Sequence, residues 1–494
     1  MLSFTEALTI GAPLVFTPEI MAFALFGTVV GLLIGALPGL TSAMAVALMI
    51  PLTYTLSPAQ AFAILLPAYA AGTFGGSIAA ILLNIPGTGA AVMTTFDGYP
   101  MREKGEASRA IAIAATSSVF GGLLSAVVLI AFAPKAAIWA LQLGAHEYFV
   151  VALFGLLVIA FISASPMLGL ISGLFGLLLA TVGNDPAGAY PRFTYGQAEM
   201  VGGLQFVPVM IGLFGISEVL YVVDQKVTLR PRVHQKTSGV SRHLFEAFTK
   251  FGVLLRSSFI GLVIGVMPGS GPTIGSVVSY GFEKRFGRNR TKMGEGASEG
   301  IISAEAANNA GTGGALVPMF ALGIPGDAVT AILIGALLIH GLQPGPSLFL
   351  EQPELVSSLF LLFVVGNVMF LLLGILGLPL LVRILQTPAY YLLPVVAVLC
   401  VVGSYAAANS FFDCWLAIGF GVFGYLLKKI QVPVAPMILG FILGPLLEDN
   451  LRRALILDDG NIFRFFERPL TLFAVACIFV ILIAPNLVKR LKKS

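Results

Sequence analysis

Polar residues stand beside glycine and proline interruptions in otherwise apolar stretches of the chain. Asn84 precedes an Ile-Pro-Gly run, and the run Glu-Ala-Ala-Asn-Asn from Glu305 to Asn309 stands upstream of a second Ile-Pro-Gly run. A helix that is broken at such a point leaves free N–H groups at one end, which attract anions, and free carbonyl groups at the other, which suit a cation such as Na⁺. The residue types at these interruptions therefore predict ion and anion binding.

An internal repeat places the interruptions at equivalent positions in two parts of the chain. Residues 31–42 read GLLIGALPGLTS and align with residues 261–272, GLVIGVMPGSGP. Residues 71–87 read AGTFGGSIAAILLNIPG and align with residues 310–326, AGTGGALVPMFALGIPG. We interpret the chain as two repeats. They cover residues 1–235 and 236–494, and the second carries an added C-terminal helix at 469–488.

Composition places this repeat in a membrane. Of the 494 residues 57% are hydrophobic and 11% are charged, whereas a soluble domain has about 25% charged residues. A bilayer core about 30 Å thick takes about 20 apolar residues per helix. The chain therefore predicts an all-α polytopic membrane protein with about 10–12 transmembrane helices. The net charge of +4 is spread over the loops, which does not favour a nucleic-acid partner.

Loop charge predicts that the two repeats have opposite orientations, because Lys and Arg near helix ends stay in the cytoplasm. The connection 52–60 carries no charge, whereas its counterpart 283–298 is basic. The next pair reverses this pattern, since 102–109 is basic and 341–358 has no Lys or Arg. The basic residues from Lys489 onward predict a cytoplasmic C-terminus.

Inverted repeats with matched glycine and proline interruptions are typical of secondary transporters. Backbone groups in hydrocarbon must be hydrogen-bonded, so a helix breaks at membrane depth only where protein or a wet cavity covers the break. We expect a helical hairpin in each repeat, at 21–55 and 257–283, followed by a broken helix at 61–97 and 299–340. By analogy, residues 21–97 and 257–340 form an elevator-like moving unit.

The candidate substrate and ion ligands lie at the hairpin tips and the helix breaks. In the first repeat they are Gly35, Pro38, Gly39, Thr41, Ser42, Thr73, Gly75, Gly76, Asn84, Pro86 and Gly87. In the second repeat they are Gly265, Pro268, Gly269, Ser270, Gly271, Thr273, Glu305, Asn308, Asn309, Thr312, Gly313, Gly314, Pro325, Gly326 and Asp327. Asn309 and Thr312 are the candidate Na⁺ ligands, and no other cofactor is expected. The alternative is that the polar side chains cap opened backbone, with Asp327 as an N-cap, and that the glycines permit close helix packing.

Several motifs together resemble the large membrane subunit of the tripartite tricarboxylate transporters. They are G-A-L-P-G-L, G-T-F-G-G with N-I-P-G, R-F-T-Y-G at 192–196, G-L-F-G-I-S-E at 212–218, G-V-M-P-G-S-G-P, and E-A-A-N-N-A-G-T-G-G with G-I-P-G. The resemblance covers essentially the whole chain. It implies a bacterial inner-membrane complex of this subunit, a smaller membrane subunit and a periplasmic solute-binding protein. It also implies uptake of a tricarboxylate or dicarboxylate driven by an ion gradient, usually Na⁺.

The residues add a chemical constraint to this resemblance. No Lys or Arg occurs in 1–101, 257–283 or 293–382, the stretches that contain all the duplicated motifs. A carboxylate bound there must be held by helix N-termini, hydroxyls, amides and a co-bound cation. We therefore expect Gly269→Ala and Gly39→Ala to abolish or severely impair uptake, and Gly261→Ala to be milder.

Two other classes of function stay open as alternatives. A passive anion channel would also place polar breaks at the membrane midplane, but it needs neither ion coupling nor a binding protein. An intramembrane hydrolase would use Ser270 as nucleophile and His340 as base. The sequence disfavours the hydrolase, because Pro-Gly-Ser-Gly lacks the G-x-S-G spacing and Ile-Pro-Gly-Asp is not G-x-G-D.

Overall fold

The computed structural model describes residues 4–37, 40–163, 165–185, 188, 190–225, 239–385, 389–469, 471, 472 and 476. In this part of the chain the fold is almost entirely helical. The one sheet described there is a two-residue antiparallel ladder of β1 (Gly183–Asn184) and β2 (Pro191–Arg192). The prediction of an all-α membrane protein is confirmed.

Ten α-helices are described within the first 225 residues. They are α1 (Phe4–Val15), α2 (Pro18–Ala36), α3 (Ser42–Thr53), α4 (Pro58–Leu83), α5 (Val92–Glu103), α6 (Ala107–Ala140), α7 (Ala145–Ile162), α8 (Pro166–Ala180), α9 (Phe206–Met210) and α10 (Ser217–Asp224). A short 3₁₀ helix, Gly89–Ala91, precedes α5, and a π-helical turn, Ile211–Ile216, joins α9 to α10.

The helices after residue 239 begin with the second hairpin. They are α11 (Phe251–Val266), α12 (Gly271–Phe286), α13 (Ser298–Leu322), α14 (Ala328–Ile339), α15 (Pro346–Glu351), α16 (Pro353–Leu376), α17 (Leu378–Leu385), α18 (Ala389–Ala408), α19 (Phe411–Lys429) and α20 (Val434–Leu457). The predicted C-terminal helix at 469–488 lies almost wholly outside the described residues. Eight of the described helical segments are long and apolar enough to cross a bilayer, and shorter apolar helices include α3 and α14.

The chain divides into two compact units. Unit 1 comprises Met1–Ala136 and Val207–Tyr425, and unit 2 comprises Ala137–Phe206 and Leu426–Ser494. Each unit therefore takes segments from both sides of the sequence boundary at residue 235. Both helical hairpins and both broken helices lie in unit 1.

Unit 1 is built around α4 and α13, which are buried along almost their whole length. A helix that is buried on all sides needs small residues where its neighbours approach. A methyl group at Gly35 of α2 would lie 2.1 Å from the carbonyl oxygen of Gly72, and one at Gly265 of α11 would lie 2.5 Å from that of Gly311. These are matched positions of the sequence repeat, so the first arm of each hairpin packs on its broken helix through equivalent glycines.

Unit 2 packs α7 and α8 against α20, again with glycines at the closest approaches. An ion-pair network then fixes the segment after α8 to the end of α20. Arg192 of the R-F-T-Y-G motif donates to Glu448, with Nη1 2.7 Å from Oε1, and Arg452 donates to both Glu448 and Asp185. Glu448 therefore has a structural partner in this unit.

Candidate functional site

The tip of the second hairpin opens the backbone between two helices. α11 ends at Val266, and the N–H of Met267 donates to the carbonyl of Ile264 over 3.0 Å. Gly269 has a φ of +79° and Gly271 a φ of +56°, which is the left-handed region that glycine adopts without strain. α12 then begins with Pro272 in its first turn, where the missing N–H costs nothing.

The first hairpin ends its first arm in the same way. The N–H of Leu37 donates to the carbonyl of Ile34 over 3.2 Å, as Met267 does to Ile264 at the matched position. The candidate residues Pro38 and Gly39 lie outside the described residues. α3 begins at Ser42 with Thr41 as its N-cap.

Hydroxyl groups at both tips already have backbone partners. Thr41 Oγ1 accepts a hydrogen bond from the N–H of Met44 over 3.2 Å. Ser270 Oγ donates to the carbonyls of Ile264 and Met267 and so closes the end of α11. Because the Ser270 hydroxyl donates to backbone carbonyls, it is not held by a base as an activated nucleophile is.

The two broken helices stop at matched positions. α4 ends at Leu83, followed by Asn84 with a φ of +57°, and α13 ends at Leu322, followed by Gly323 with a φ of +70°. Both residues are left-handed C-caps, a common way to end a helix. The side chain of Asn84 is exposed, and its observed structural role is to end α4.

Asp327 follows the second break and is the N-cap of α14. Its Oδ1 accepts from the N–H of Thr330 over 2.8 Å, which is the capping role that the sequence left open as an alternative. Its Oδ2 accepts from the hydroxyl of Tyr69 on α4 over 2.7 Å. Tyr69, which was not among the sequence candidates, therefore ties α4 to the second break.

Thr88 occupies the position in the first repeat that Asp327 occupies in the second. It precedes the 3₁₀ helix Gly89–Ala91, but its side chain makes no capping hydrogen bond. Its hydroxyl oxygen is buried and lacks a hydrogen-bond partner among the described residues. Sequence reasoning missed Thr88, although the signal was present, because Thr88 follows Ile-Pro-Gly just as Asp327 does.

The second hairpin tip lies between the two breaks. A methyl group at Gly271 would lie 2.8 Å from the Cβ of Asp327, and one at Gly89 would lie 3.3 Å from the hydroxyl oxygen of Thr273. The first break also reaches the end of α2, since a methyl group at Gly87 would lie 2.1 Å from the carbonyl oxygen of Gly35. We call this region the break junction and define it as residues 85–89, 267–273 and 324–328, which include Pro86 and Pro325.

Most other candidate glycines make close helix contacts. Their nearest neighbours are Leu32 for Gly75, Thr88 for Gly76, Ser125 for Gly313, Leu262 for Gly314 and Ala315 for Gly326, all within 2.7 Å of an added methyl group. A further methyl group at Gly72 would lie 3.2 Å from the Cβ of Ser42. These glycines determine how closely the helices around the junction pack.

Gly261 corrects one expectation drawn from the sequence. A methyl group at this position would lie 2.2 Å from the carbonyl oxygen of Ala307 and 2.5 Å from its Cα, both on the buried helix α13. The expectation that Gly261→Ala is a mild change is therefore wrong. The spacing of Gly261 and Gly265, one helical turn apart, places both on the face that packs on α13.

The candidate Na⁺ ligands lie on α13 beside the junction. Asn309 and Thr312 are fully buried, Asn309 Nδ2 donates to the carbonyl of Ala70 over 3.4 Å, and Thr312 Oγ1 donates to the carbonyl of Asn309 over 2.6 Å. Thr73 makes the related bond in the first repeat, to the carbonyl of Tyr69 over 2.9 Å. Asn309 Oδ1 has no partner among the described residues, so it is an oxygen that a hard cation can take.

Glu305 belongs to a separate polar cluster farther along α13. Its carboxylate is fully buried and accepts from the hydroxyls of Ser77 over 2.6 Å, of Ser118 over 2.8 Å and of Thr94. Asn308 follows three residues later with both amide atoms buried and without partners in the described structure. Glu305 precedes Gly311, which contacts Pro272, by six residues, or about 9 Å of helix. The structure therefore does not bring Glu305 into the break junction.

These features are typical of one class of membrane protein. A multi-pass helical protein with two hairpins and two broken helices has the architecture that is typical of secondary transporters. The chain belongs to the tripartite tricarboxylate transporter TctA family, since the model of that family matches residues 21–439. The resemblance seen in the motifs is confirmed, and the protein is a multi-pass membrane transport protein.

Two curated relatives support this assignment. An uncharacterised 52.8 kDa protein in the TAR-I ttuC' 3' region of Agrobacterium vitis is 36% identical over 501 residues, which cover 99% of this chain and 98% of that protein. An uncharacterised protein in the TAR-II ttuC' 3' region of the same organism is 38% identical over 227 residues, which cover 45% of this chain and 93% of that protein. No solved structure matches the chain.

Proposed function

We propose that this protein is the large permease subunit of a tripartite system and imports a tricarboxylate or dicarboxylate by symport with a cation, Na⁺. The observation that carries the proposal is the break junction, where the N-terminus of α12 meets both helix breaks in stretches that contain no Lys or Arg. A site for an anion in such a place uses backbone N–H groups and a co-bound cation.

The N-terminus of α12 is the part of the junction best suited to a carboxylate. α12 has 16 residues, so its first N–H groups carry the positive end of a full helix dipole. The absence of a Cβ at Gly269 and Gly271 lets a ligand approach the backbone there. The N-terminus of α14 is less available, because the carboxylate of Asp327 already caps it.

Asp327 also supplies a reason for ion coupling. Its Cβ lies close to Gly271, so a carboxylate bound at the start of α12 would meet a like charge. Two unit charges about 5 Å apart repel by about 3 kcal/mol at an effective dielectric constant of 20. A cation bound between them removes this repulsion, and Asn309 and Thr312 offer oxygen ligands on the adjacent helix.

Membership of the family supports a proposal for the partners and the location. The other components are a smaller membrane subunit and a periplasmic solute-binding protein that captures the carboxylate. The complex lies in the bacterial inner membrane with the C-terminus of this chain in the cytoplasm, as its loop charges predict. Residues 21–97 and 257–340, which hold both hairpins and both broken helices and belong to unit 1, are the part that moves in an elevator-like cycle.

Reconstitution tests the proposal. The three components in proteoliposomes should accumulate the carboxylate above its external concentration when an inward Na⁺ gradient is imposed, and a sodium ionophore should abolish the accumulation. A passive channel would instead let the carboxylate equilibrate at a rate that does not depend on Na⁺.

Variants of the cation ligands test the site. Asn309→Ala and Thr312→Val should raise the Na⁺ concentration required for half-maximal uptake, whereas Thr116→Val, which removes a similar helix-bonded hydroxyl from α6, should not. An unchanged sodium requirement in Asn309→Ala and Thr312→Val would leave both residues with a backbone-capping role.

A further inference from the structure

Glu305 is a buried carboxylate that has no positively charged partner among the described residues. It is fully buried on α13, and its carboxylate accepts hydrogen bonds from the hydroxyls of Ser77, Thr94 and Ser118. Taking an ionised carboxylate out of water without a partner is so costly that such groups pair with a cation or take up a proton.

The elements packed around Glu305 supply no base to its oxygens. α4 and α6 face it with serine hydroxyls, and the ionisable residue that α5 places near α13 is the acid Asp97. Asp97 is satisfied by the hydroxyl of Tyr280 and by three backbone N–H groups of residues 294–297.

The basic residues of the neighbouring helix ends are engaged elsewhere. Arg109 pairs with Glu246, Lys250 pairs with Glu299, and Lys104 donates to the carbonyl of Glu295. Each of these contacts lies at the start of α6 or of α13, or in the loops beside them. Among the described residues, the groups that face an ionised Glu305 are therefore neutral hydrogen-bond donors and not bases.

Asn308 provides what a protonated carboxyl group needs. A neutral carboxyl group has an O–H that must find an acceptor, and an ionised one takes further donors. Asn308 stands one turn along the same helical face, with an amide oxygen and an amide nitrogen that both lack hydrogen-bond partners among the described residues. These unpaired groups can satisfy Glu305 in either charge state.

We propose that Glu305 is the binding site of a second coupling ion, a proton, which it takes up from one side of the membrane and releases to the other during each transport cycle. The step forms and breaks one O–H bond on the carboxylate and changes no bond in the substrate. The carboxylate oxygens of Glu305 accept from the hydroxyls of Ser77, Thr94 and Ser118, and a carboxyl group that has taken up a proton can donate its O–H to such a hydroxyl oxygen.

The placement of Glu305 connects this proton to the moving parts. Its hydrogen bonds tie α13 to α4, α5 and α6, and α13 contacts the second hairpin tip where Gly311 meets Pro272. Protonation of the Glu305 carboxylate weakens these hydrogen bonds, since hydrogen bonds to charged groups are about twice as strong as neutral ones. The inference rests on the proposed ion-coupled transport.

A proton gradient at fixed sodium tests the inference. Proteoliposomes that contain the three components are given equal, saturating Na⁺ on both sides and an inward pH gradient of one unit, with a pH-sensitive dye inside. The wild-type complex should acidify the interior during uptake, and its accumulation ratio should rise by up to about tenfold for each proton carried. Glu305→Gln should lose both responses and keep substrate counterflow, whereas Glu354→Gln, at an exposed position, should behave like wild type.

Three other results would overturn the proton-binding role of Glu305. A wild-type complex that shows Na⁺-driven uptake but moves no protons would overturn the inference and leave the proposed function intact. Unchanged proton movement in Glu305→Gln would overturn it as well. If the wild-type complex moved no protons and Glu305→Gln required more Na⁺ for uptake, Glu305 would belong to a Na⁺ site instead. If Glu305→Gln lost counterflow too, Glu305→Asp should retain proton movement with a shifted pH dependence, and its failure to do so would refute the role.

Discussion

Gly261→Ala is expected to separate α11 from the buried helix α13. The new methyl group would lie 2.2 Å from the carbonyl oxygen of Ala307, whereas ordinary contact begins at about 3.4 Å, so α11 and α13 must move apart by about 1 Å at this point. Neither atom belongs to a flexible side chain that could turn away. Overpacking of this kind costs about 1–3 kcal/mol.

Gly281→Ala is the matched control on the second arm of the same hairpin. A methyl group at Gly281 meets nothing within 4 Å, so the change should stabilise α12 by about 0.5–1 kcal/mol through its better helix propensity. The two variants should therefore differ by about 1.5–4 kcal/mol in free energy of unfolding, in opposite directions from wild type.

Thermal unfolding of the purified protein in detergent measures this difference. Gly261→Ala should unfold several degrees below wild type, and Gly281→Ala at or above it. Uptake per folded protein should also fall in Gly261→Ala, because the first arm of the hairpin is displaced from α13. A Gly261→Ala variant with wild-type unfolding temperature and wild-type uptake would refute the packing of α11 on α13.

Three further predictions concern topology, the first break and unit 2. A single cysteine at Arg288 should react with an impermeant thiol reagent only from the cytoplasm and one at Glu354 only from the periplasm, and labelling of both from one side would remove the inverted orientation of the repeats. Thr88→Val should keep the unfolding temperature, because it removes a buried oxygen that has no partner, and should raise the substrate or Na⁺ concentration for half-maximal uptake; unchanged uptake kinetics would make Thr88 a packing residue. Arg192→Ala should lower the unfolding temperature by breaking its pair with Glu448, and the effect should shrink in high salt; an effect independent of salt would point to lost packing instead.

The helix ends could be predicted from the sequence because their causes are local. Proline lacks an N–H and glycine adopts left-handed backbone, so the matched Pro-Gly runs indicate where the helices stop. The structure ends α11 at Val266, just before Pro268, and ends α4 and α13 at matched residues just before each Ile-Pro-Gly run.

The role of each glycine could not be read from its motif alone. Whether a glycine faces a ligand or a neighbouring helix depends on how its helix is rotated, and that is decided by packing. Gly261 and Gly265 stand one turn apart and face α13, whereas Gly269 lies beyond the helix end with a positive φ. The spacing of four residues was the available sign of a packing face.

The surroundings of Glu305 could not be predicted from the sequence, because its partners are distant in the chain. Its hydroxyl partners Ser77, Thr94 and Ser118 come from three other helices and lie about 190 to 230 residues earlier in the chain. No local pattern brings such residues together, because their meeting depends on the tertiary packing of α4, α5 and α6 around α13. The same holds for Thr88. Its counterpart in the second repeat, Asp327, caps the following helix, whereas the Thr88 side chain makes no capping hydrogen bond, and the sequence does not show this difference.

Sodium-driven uptake by Gly269→Ala tests the central claim, that the carboxylate is held by backbone at the second hairpin tip. Gly269 has a φ of +79° and stands two residues before α12, so a methyl group there obstructs the approach to its first N–H groups. Hydrogen bonds to a charged group are worth about 1.5–3 kcal/mol, so losing one should cost about tenfold or more in apparent affinity. We expect this loss in Gly269→Ala at normal membrane insertion, with wild-type uptake in Gly281→Ala and unchanged substrate binding by the periplasmic protein. Normal uptake by Gly269→Ala would contradict it and would leave the break junction as a packing feature.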